Sequence, residues 1–212
     1  MATTTKQALA LLLLALLPLS TLCSRAGPSA HRSHAPKHSP PSPPPPAPTA
    51  AALVRATCNS TTYYDVCVSA LGADPTSATA DVRGLSAIAV SAAAANASGG
   101  AATAAALANG TATAQAPSGA DATVQALLRT CAAKYVDARD ALSAARDSIA
   151  VQDYDYASVH VSAAAEYPKV CEALFRRQRP GAYPAELAAR EEALEKLCSV
   201  ALDIIALLSN SS

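Results

Sequence analysis

The chain has 212 residues, of which 51% are hydrophobic and 15% are charged, and its formal net charge is zero. A neutral chain has no global field that would attract nucleic acid or an acidic membrane, so we expect neither as a partner. About 160 residues remain after an N-terminal leader and a proline-rich segment, which is enough for one domain with its own core.

The N-terminus has the parts of a secretory signal peptide over residues 1–26. Lys6 supplies a positive charge, an apolar run covers residues 11–22, and small residues lead to a cleavage point after Ala26. A bacterial lipoprotein signal at Cys23 is a weaker interpretation. No later stretch is expected to be long and apolar enough to cross a bilayer. The mature chain is therefore expected to be secreted into an oxidising compartment, where disulfides persist.

A proline-rich linker is predicted for residues 27–50. Proline fixes φ and lacks an amide donor, so this segment favours an extended, polyproline-like conformation. Its units beginning at Ser39 and Ser42 resemble those of plant extensin-type wall proteins, in which the prolines are hydroxylated and arabinosylated. An unmodified flexible tether is an equal alternative. The segment is basic, which makes contact with polyanionic pectin a further hypothesis.

A short cysteine-bearing segment precedes the first long helix, which is predicted to begin at Asp74-Pro75 because an N-cap residue is followed by proline. Residues 91–118 are rich in alanine and contain three glycines. Alanine favours helix but brings little area to bury, so we expect a frayed helix end and a long, weakly packed connection there.

The clearest helical pattern covers residues 120–150, with Asp121 as a candidate N-cap. Its apolar residues alternate in steps of four and three and form one stripe: Val124, Leu128, Cys131, Tyr135, Ala138, Leu142, Ala145 and Ile149. Such a stripe is typical of a helix in an antiparallel bundle.

A third long helix is predicted over about residues 155–178. Its apolar face is expected to comprise Tyr156, Val159, Ala163, Val170 and Leu174. This pattern places Tyr156 in the core and Tyr154 at the surface. Pro168 lies within the helix and is expected to kink or split it.

The last helix is predicted to begin near Pro184. Its apolar face repeats every seven residues at Leu187, Leu194, Ala201 and Leu208, and Cys198 widens it. Glu192 and Lys196 are expected to form a surface ion pair. The sequence therefore predicts an all-α protein, an up-and-down four-helix bundle preceded by a short cysteine-closed segment.

Five cysteines remain after the signal peptide: Cys58, Cys67, Cys131, Cys171 and Cys198. The number is odd, so one thiol stays free or pairs between chains, and the spacing alone does not give the connectivity.

Three motifs together carry a family resemblance. They are Cys58-x8-Cys67, then Cys131-x3-Tyr135-x2-Ala138, and the run VSAA at 161–164 leading to Cys171-x3-Phe175. Over about residues 52–209 the chain resembles the plant invertase/pectin methylesterase inhibitor family. The segments CVSALGADPTSATADVRGL and DYDYASVHVSAAAEYPKVCEALF are most similar to its pollen-allergen branch of invertase inhibitors.

The resemblance implies that the segment before the four-helix bundle is a short disulfide-closed helical hairpin. It implies disulfides Cys58–Cys67 and Cys131–Cys171, which leaves Cys198 as a buried free thiol. It implies a domain over residues 51–212 with no catalysis, no cofactor and no metal. Members of the family are plant proteins of the cell wall or vacuole that bind a carbohydrate-active enzyme and block its substrate cleft. We therefore expect a one-to-one complex with a pectin methylesterase or an invertase in the apoplast.

In the invertase inhibitors of this family, a short loop with Pro-Lys-Phe enters the active site. The matching residues here are Tyr154, Asp155 and Tyr156, so the cationic tip is missing. Tyr154 and Asp155 are nevertheless candidate target-binding residues. Asp155 and Asp153 are also candidate helix caps, or groups that titrate with wall pH.

Tyr63 and Tyr64 are further candidate interface residues, because tyrosine is enriched in binding hot spots; packing onto the hairpin is an equal alternative. His160 has no matching nucleophile and acid, so we expect it on a helix surface rather than in a catalytic site. A different class of function, a structural wall protein anchored by its Ser-Pro-rich tract, is the rival hypothesis.

Four glycosylation sequons occur, at Asn59, Asn96, Asn109 and Asn210. Secretion makes them eligible for modification. Asn96 and Asn109 are favoured because they lie in the alanine-rich region that is predicted to be loosely packed.

Overall fold

The computed structural model describes residues 49–110 and 122–210, which contain six α-helices, one 3₁₀ turn and no strand. The elements are α1 (Ala50–Cys58), α2 (Tyr64–Gly72), the 3₁₀ turn (Pro75–Ala78), α3 (Val82–Ala108), α4 (Ala122–Ala150), α5 (Tyr154–Gln178) and α6 (Ala185–Ser209). The prediction of an all-α fold is confirmed. The predicted signal peptide and almost all of the predicted linker lie outside the described residues.

The four long helices form a bundle in which each helix packs against two neighbours. Helix α3 contacts α4 and α6, and α5 contacts the same two helices from the other side. The connection between α4 and α5 is the short segment 151–153, which makes these helices antiparallel. Inside the bundle, the hydroxyl of Tyr135 on α4 donates to the backbone oxygen of Leu187 on α6 at 3.2 Å.

A helical hairpin of α1 and α2 packs on the α3 and α6 side of the bundle. The Thr49 side chain caps α1, which begins at Ala50, so the helix starts one residue inside the predicted linker. The backbone N–H of Thr62 donates to Oδ2 of Asp203 at 2.7 Å and ties the hairpin turn to α6.

Helix α3 begins later than predicted. Asp74 caps only the 3₁₀ turn, and the chain leaves helical geometry at Thr79. Asp81 then provides a second cap, because its Oδ1 accepts from the backbone N–H of Gly84 at 2.7 Å. The prediction of one helix from Asp74 was wrong because Asp74 caps the 3₁₀ turn and Asp81 caps α3, so two separate elements form.

The alanine-rich segment is better packed than predicted. Helix α3 continues to Ala108, and its small residues are buried at regular intervals: Ala89, Ala93, Ala97, Gly100, Ala104 and Ala108. The prediction of a weakly packed connection was therefore wrong for residues 91–108, because small side chains let neighbouring helices approach closely. Asn109 and Gly110 follow the helix, and residues 111–118 of the segment lie outside the described residues.

Helix α3 is also long and apolar enough, by length and composition alone, to cross a membrane. The prediction that no such stretch follows the signal peptide was wrong on this criterion. Of its most apolar window, 44% is buried inside the bundle, as in the core helix of a folded domain.

The apolar stripes of α4 and α6 agree closely with the sequence. On α4, the seven stripe residues from Leu128 to Ile149 are buried, and Val124 packs against the core while partly buried. Asp121 lies outside the described residues. On α6, Leu187, Leu194 and Ala201 are buried, whereas Leu208 is only half-buried.

Helix α5 is rotated relative to the prediction. Its buried residues are Ala157, Val161, Ala164, Pro168, Cys171 and Phe175. The predicted core residues Tyr156, Val159 and Val170 are 63%, 62% and 44% exposed, and Tyr154 packs against the core instead. These predictions were wrong because Cys171 and Phe175 turn the other face inward. The helix is continuous through Pro168, so the predicted split does not occur.

Candidate functional site

The outward face of α5 carries a row of exposed apolar side chains, which we call the outward stripe: Tyr156, Val159 and Val170. Positions three, four and seven residues apart lie on one side of an α-helix, so these residues share a face. Water surrounds more than half of the Tyr156 and Val159 side chains. Exposed apolar residues grouped on one face mark an interaction surface more often than isolated ones do.

The turn that precedes the stripe, residues 151–153, is also exposed and apolar at its tip. Val151 is 75% exposed. Gln152 has φ 63°, a left-handed conformation that is uncommon for a residue other than glycine. Oδ1 of Asp153 accepts from the backbone N–H of Tyr156 at 3.2 Å and starts α5. The turn therefore has a defined conformation directly before the outward stripe.

Two cross-links hold the surfaces in place. Cys131 on α4 and Cys171 on α5 form a disulfide with their Cα atoms 5.1 Å apart. Cys58 and Cys67 form the second disulfide, which closes the hairpin. The face of α5 opposite the outward stripe is thus bonded to its neighbour, and a partner would meet a preorganised surface.

The predicted tip residues contribute unequally to this site. Tyr154 is half-buried and packs against the core, whereas Asp155 is exposed in the first turn of α5, where the helix dipole favours a negative charge. His160 is half-buried, and its ring lies 6.4 Å from the ring of Tyr156. The exposed groups at the start of α5 are therefore an acid and an aromatic ring, not a cation.

The other two predicted binding residues belong to the hairpin. Tyr63 is 36% exposed and Tyr64 is 39% exposed. Tyr64 lines a recess that α1 and the 3₁₀ turn complete. The structure brings Tyr154 and Asp155 together with Tyr156, but it places Tyr63 and Tyr64 on elements that pack against α3 and α6.

The residues that the sequence analysis missed are Tyr156, Val159 and Val170, which had been assigned to the core. A signal was present in the sequence. Cys171 and Phe175 are one helical turn apart and are both expected inside, and extending their phase through α5 leaves Tyr156 and Val159 outside.

The free thiol of Cys198 is buried on α6. Burial raises the pKa of this thiol to about 12, and the nearby Glu195 carboxylate acts in the same direction. A thiol with so high a pKa is protonated and unreactive at neutral pH.

The four sequon asparagines differ in their surroundings. Asn59, Asn109 and Asn210 are exposed at helix ends. Asn96 lies within α3 and lines an open groove of about 1090 Å³ between α2, α3 and α6. Its side-chain oxygen is buried without a hydrogen-bond partner. The expectation that Asn96 lies in a loosely packed region was therefore wrong.

No group of three or more His, Cys, Asp or Glu side chains suited to a metal ion occurs among residues 49–110 and 122–210.

Comparisons with known proteins find both similar sequences and similar folds. The family model "Plant invertase/pectin methylesterase inhibitor" matches residues 52–204. The chain is 73% identical to "Pectinesterase inhibitor 28" of Oryza sativa subsp. japonica over 96% of this chain and 92% of the relative. It is 40% identical to "Cell wall / vacuolar inhibitor of fructosidase 2" of Arabidopsis thaliana over 72% of this chain and 81% of that relative.

The fold has solved counterparts. A crystal structure of a mutant form of a pectin methylesterase inhibitor from Arabidopsis superposes with a TM-score of 0.56 at 21% identity, covering 71% of this chain and 93% of the other. At this identity the likeness concerns the fold. Sequences from two Platanus species whose names refer to invertase inhibition are also among the relatives.

Proposed function

The chain belongs to the plant invertase/pectin methylesterase inhibitor family, and we propose that it inhibits a plant pectin methylesterase by forming a one-to-one complex that blocks the substrate cleft. Family membership makes it an inhibitor rather than an enzyme. The outward stripe of α5 is the observation that carries the proposal, because these large apolar side chains face water, whereas the other large apolar residues of α5 are buried or partly buried.

The length of α5 is suited to blocking a substrate cleft. A helix of 25 residues is about 37 Å long at the standard rise, which is enough to follow an extended polysaccharide-binding cleft. A stable complex buries roughly 800 Å² on each partner, so exposed groups of the neighbouring helices must join the stripe. Tyr156 is the expected hot spot, because tyrosine supplies a large contact area at little entropic cost.

Rigidity supports the same mechanism. The Cys131–Cys171 disulfide holds α5 against α4, so little conformational entropy remains to be lost when a target binds. Because a preorganised helix face loses little conformational entropy on binding, more of the favourable contact free energy remains as binding free energy.

Two observations favour pectin methylesterase over invertase. The 73% identical relative is named as a pectinesterase inhibitor. Asp155 stands where the invertase inhibitors of the family carry lysine, and Tyr154 is partly withdrawn into the core. Invertase is the second candidate target, favoured by the 40% identical relative whose name refers to fructosidase.

The same proposal includes the processing and location of the chain. Residues 1–26 act as a signal peptide, residues 27–50 as an extensin-like linker, and residues 51–212 as the inhibitor domain. The mature protein then acts in the plant cell wall, where pectin methylesterases meet their substrate.

Titration of each purified enzyme with the mature protein tests the proposal. We expect loss of pectin methylesterase activity with an end point at one inhibitor per enzyme, and no loss of invertase activity. Val159→Glu places a charge in the stripe and should weaken binding at least tenfold, equivalent to about 1.4 kcal/mol. Ala102→Glu, at an exposed position on α3, is the matched control and should bind as the parent protein does.

Three results would count against the proposal. Equal effects of Val159→Glu and Ala102→Glu would place the interface elsewhere. Inhibition of invertase alone would reverse the choice of target. Inhibition of neither enzyme, combined with pectin retention that depends on residues 27–50, would favour the structural wall protein.

A further inference from the structure

A hydrogen bond between two side chains joins the loop after α5 to α6. Tyr183, in the loop after α5, donates its hydroxyl proton to Oε2 of Glu191 on α6 at 2.8 Å. The ring of Tyr183 lies 5.5 Å from the ring of Phe175, which is buried near the end of α5. Tyr183 therefore joins the loop to both helices, and Glu191 is its polar anchor.

The carboxyl group of Glu191 has two other carboxylates among its neighbours. The titratable and charged groups around it are Glu172 and Lys169 on α5, Glu195 on α6 and Tyr183 itself, and Tyr135 on α4 is close enough to be affected by its charge. Glu191 is half-buried, so its carboxylate is poorly hydrated when it is ionised.

The cations nearby are engaged elsewhere. Nζ of Lys169 lies 2.9 Å from Glu166 and 3.6 Å from Glu195. The guanidinium of Arg190 lies beside Gly99 on α3. An ionised Glu191 is therefore held by a neutral donor, Tyr183, while two further carboxylates stand on the same side.

We propose that the half-buried Glu191 makes the stability of the α5–α6 junction depend on pH. The junction is most stable when the Glu191 carboxyl is protonated and less stable when it ionises, and the Tyr183 hydrogen bond, which favours the carboxylate, offsets part of that loss. This proposal is independent of the identity of the target enzyme.

The electrostatics support the direction of the effect. Burial raises the pKa of Glu191 above the ordinary value of 4.5; the Tyr183 hydrogen bond and Lys169 oppose this rise, and Glu172 and Glu195 add to it. Below pH 4.5 the carboxyl is protonated in both the folded and the unfolded chain. Above it, the unfolded chain ionises freely and the folded chain resists, so stability falls with rising pH until the folded carboxyl has ionised.

The test compares the pH dependence of the melting temperature in three variants of the mature protein. Glu191→Gln removes the titrating group, so its melting temperature should fall less than that of the parent between about pH 4 and pH 7. Tyr183→Phe removes the donor that favours the carboxylate, so its melting temperature should fall more. The expected differences in melting temperature between the variants are on the order of 2–4 °C, the usual effect of a small change in stability on a protein of this size.

Asp147→Asn is the matched control, because it removes an exposed carboxylate from α4 and should leave the pH dependence as it is in the parent. If Glu191→Gln lowers the melting temperature equally at every pH, Glu191 has a structural role only and the proposal fails.

NMR titration of the Glu191 carboxyl in the parent protein gives a second measurement that needs no variant. A pKa above 4.5 is expected, with faster exchange of the amides of residues 179 and 181–183 on ionisation after correction for the intrinsic rate. A pKa at or below 4.5 overturns the proposal even if a variant fails to fold. Neither measurement contains a target enzyme, so its result is separate from the outcome of the inhibition assay.

Discussion

Gly100 on α3 lies directly against the phenol ring of Tyr135 on α4, with no room for a β-carbon between them. Tyr135 is completely buried, and its hydroxyl reaches across the bundle to the backbone oxygen of Leu187 on α6. Three helices therefore meet around one aromatic ring. A single glycine in the alanine-rich helix creates the space for it.

Gly100→Ala should destabilise the protein although alanine is the better helix former. The gain in helix propensity is about 1 kcal/mol, whereas forcing a methyl group against a fixed ring in a packed core costs about 1–3 kcal/mol. We expect a lower free energy of unfolding in urea denaturation. Gly99→Ala is the control, because its new methyl group meets only the mobile guanidinium of Arg190 and should be neutral or stabilising. Equal stabilisation by both changes would contradict the packing argument.

The two disulfides should contribute unequally to stability. The residues of Cys131–Cys171 are separated by 40 positions and those of Cys58–Cys67 by 9. In the loop-entropy model these closures are worth about 4 and about 2–3 kcal/mol respectively. Replacing each pair by alanine and measuring guanidinium denaturation tests the order. A larger loss from the hairpin pair would show that the hairpin supports the bundle through more than chain entropy.

Sequence periodicity predicted α4 and most of α6 because one stripe of each helix is apolar and the remaining positions are largely charged or polar. Only one phase of α4 buries Leu128, Tyr135 and Leu142 together, and the structure adopts it. Where one face is clearly apolar, hydrophobic burial dominates, and the sequence is sufficient to predict which residues are inside.

Helix α5 has two apolar stripes, and in its first half the larger side chains lie on the exposed one. Tyr156 and Val159 outweigh Ala157 and Ala164 in hydrophobicity, so periodicity favoured the wrong phase. Small residues pack where helices approach closely, whereas a protein-binding face needs large apolar groups outside. Candidate site residues are thus large apolar residues that stay exposed, although side chains of this kind are usually buried.

Cys198 should be inert towards thiol reagents in the folded protein. Its thiol is buried, and burial raises its pKa to about 12. The reactive thiolate is then scarce at about pH 8, and the reagent cannot reach it. Ellman titration should detect almost no thiol under native conditions and one per mature chain in guanidinium. Rapid labelling of the native protein would show that α6 opens locally.

Asn96 should carry no glycan in the secreted protein, whereas Asn109 is a suitable acceptor. Asn96 lies within α3 and its side-chain oxygen is buried at the groove beside α2 and α6, so the side chain is poorly presented for the attachment of a glycan. Asn109 is exposed at the end of α3. Glycopeptide mass spectrometry of protein secreted from plant cells measures both sites. Asn109→Gln should remove a glycan, and Asn96→Gln should leave the glycan mass unchanged. A loss of mass on Asn96→Gln would mean that α3 departs from this packing.

The start of α5 should determine which enzyme the protein inhibits. Replacing Tyr154, Asp155 and Tyr156 by Pro, Lys and Phe installs the tip that the invertase inhibitors of this family carry. Proline is tolerated in the first turn of a helix, and Asp153 keeps its capping bond to the N–H of residue 156, so α5 should begin at the same place. The exchange removes a negative charge from an exposed position and adds a positive one.

We expect this triple variant to inhibit invertase measurably, where the parent protein does not, and to bind pectin methylesterase more weakly because the Tyr156 hydroxyl and the acidic tip are lost. Inhibition curves for both enzymes are the measurement. Tyr154→Pro with Tyr156→Phe, which leaves Asp155 in place, is the control that separates the charge from the shape of the turn. If this control gains the same invertase inhibition, the lysine is not the determinant. If the triple variant gains none, the tip alone does not select the target. The stripe formed by Tyr156, Val159 and Val170 must then contribute to target specificity.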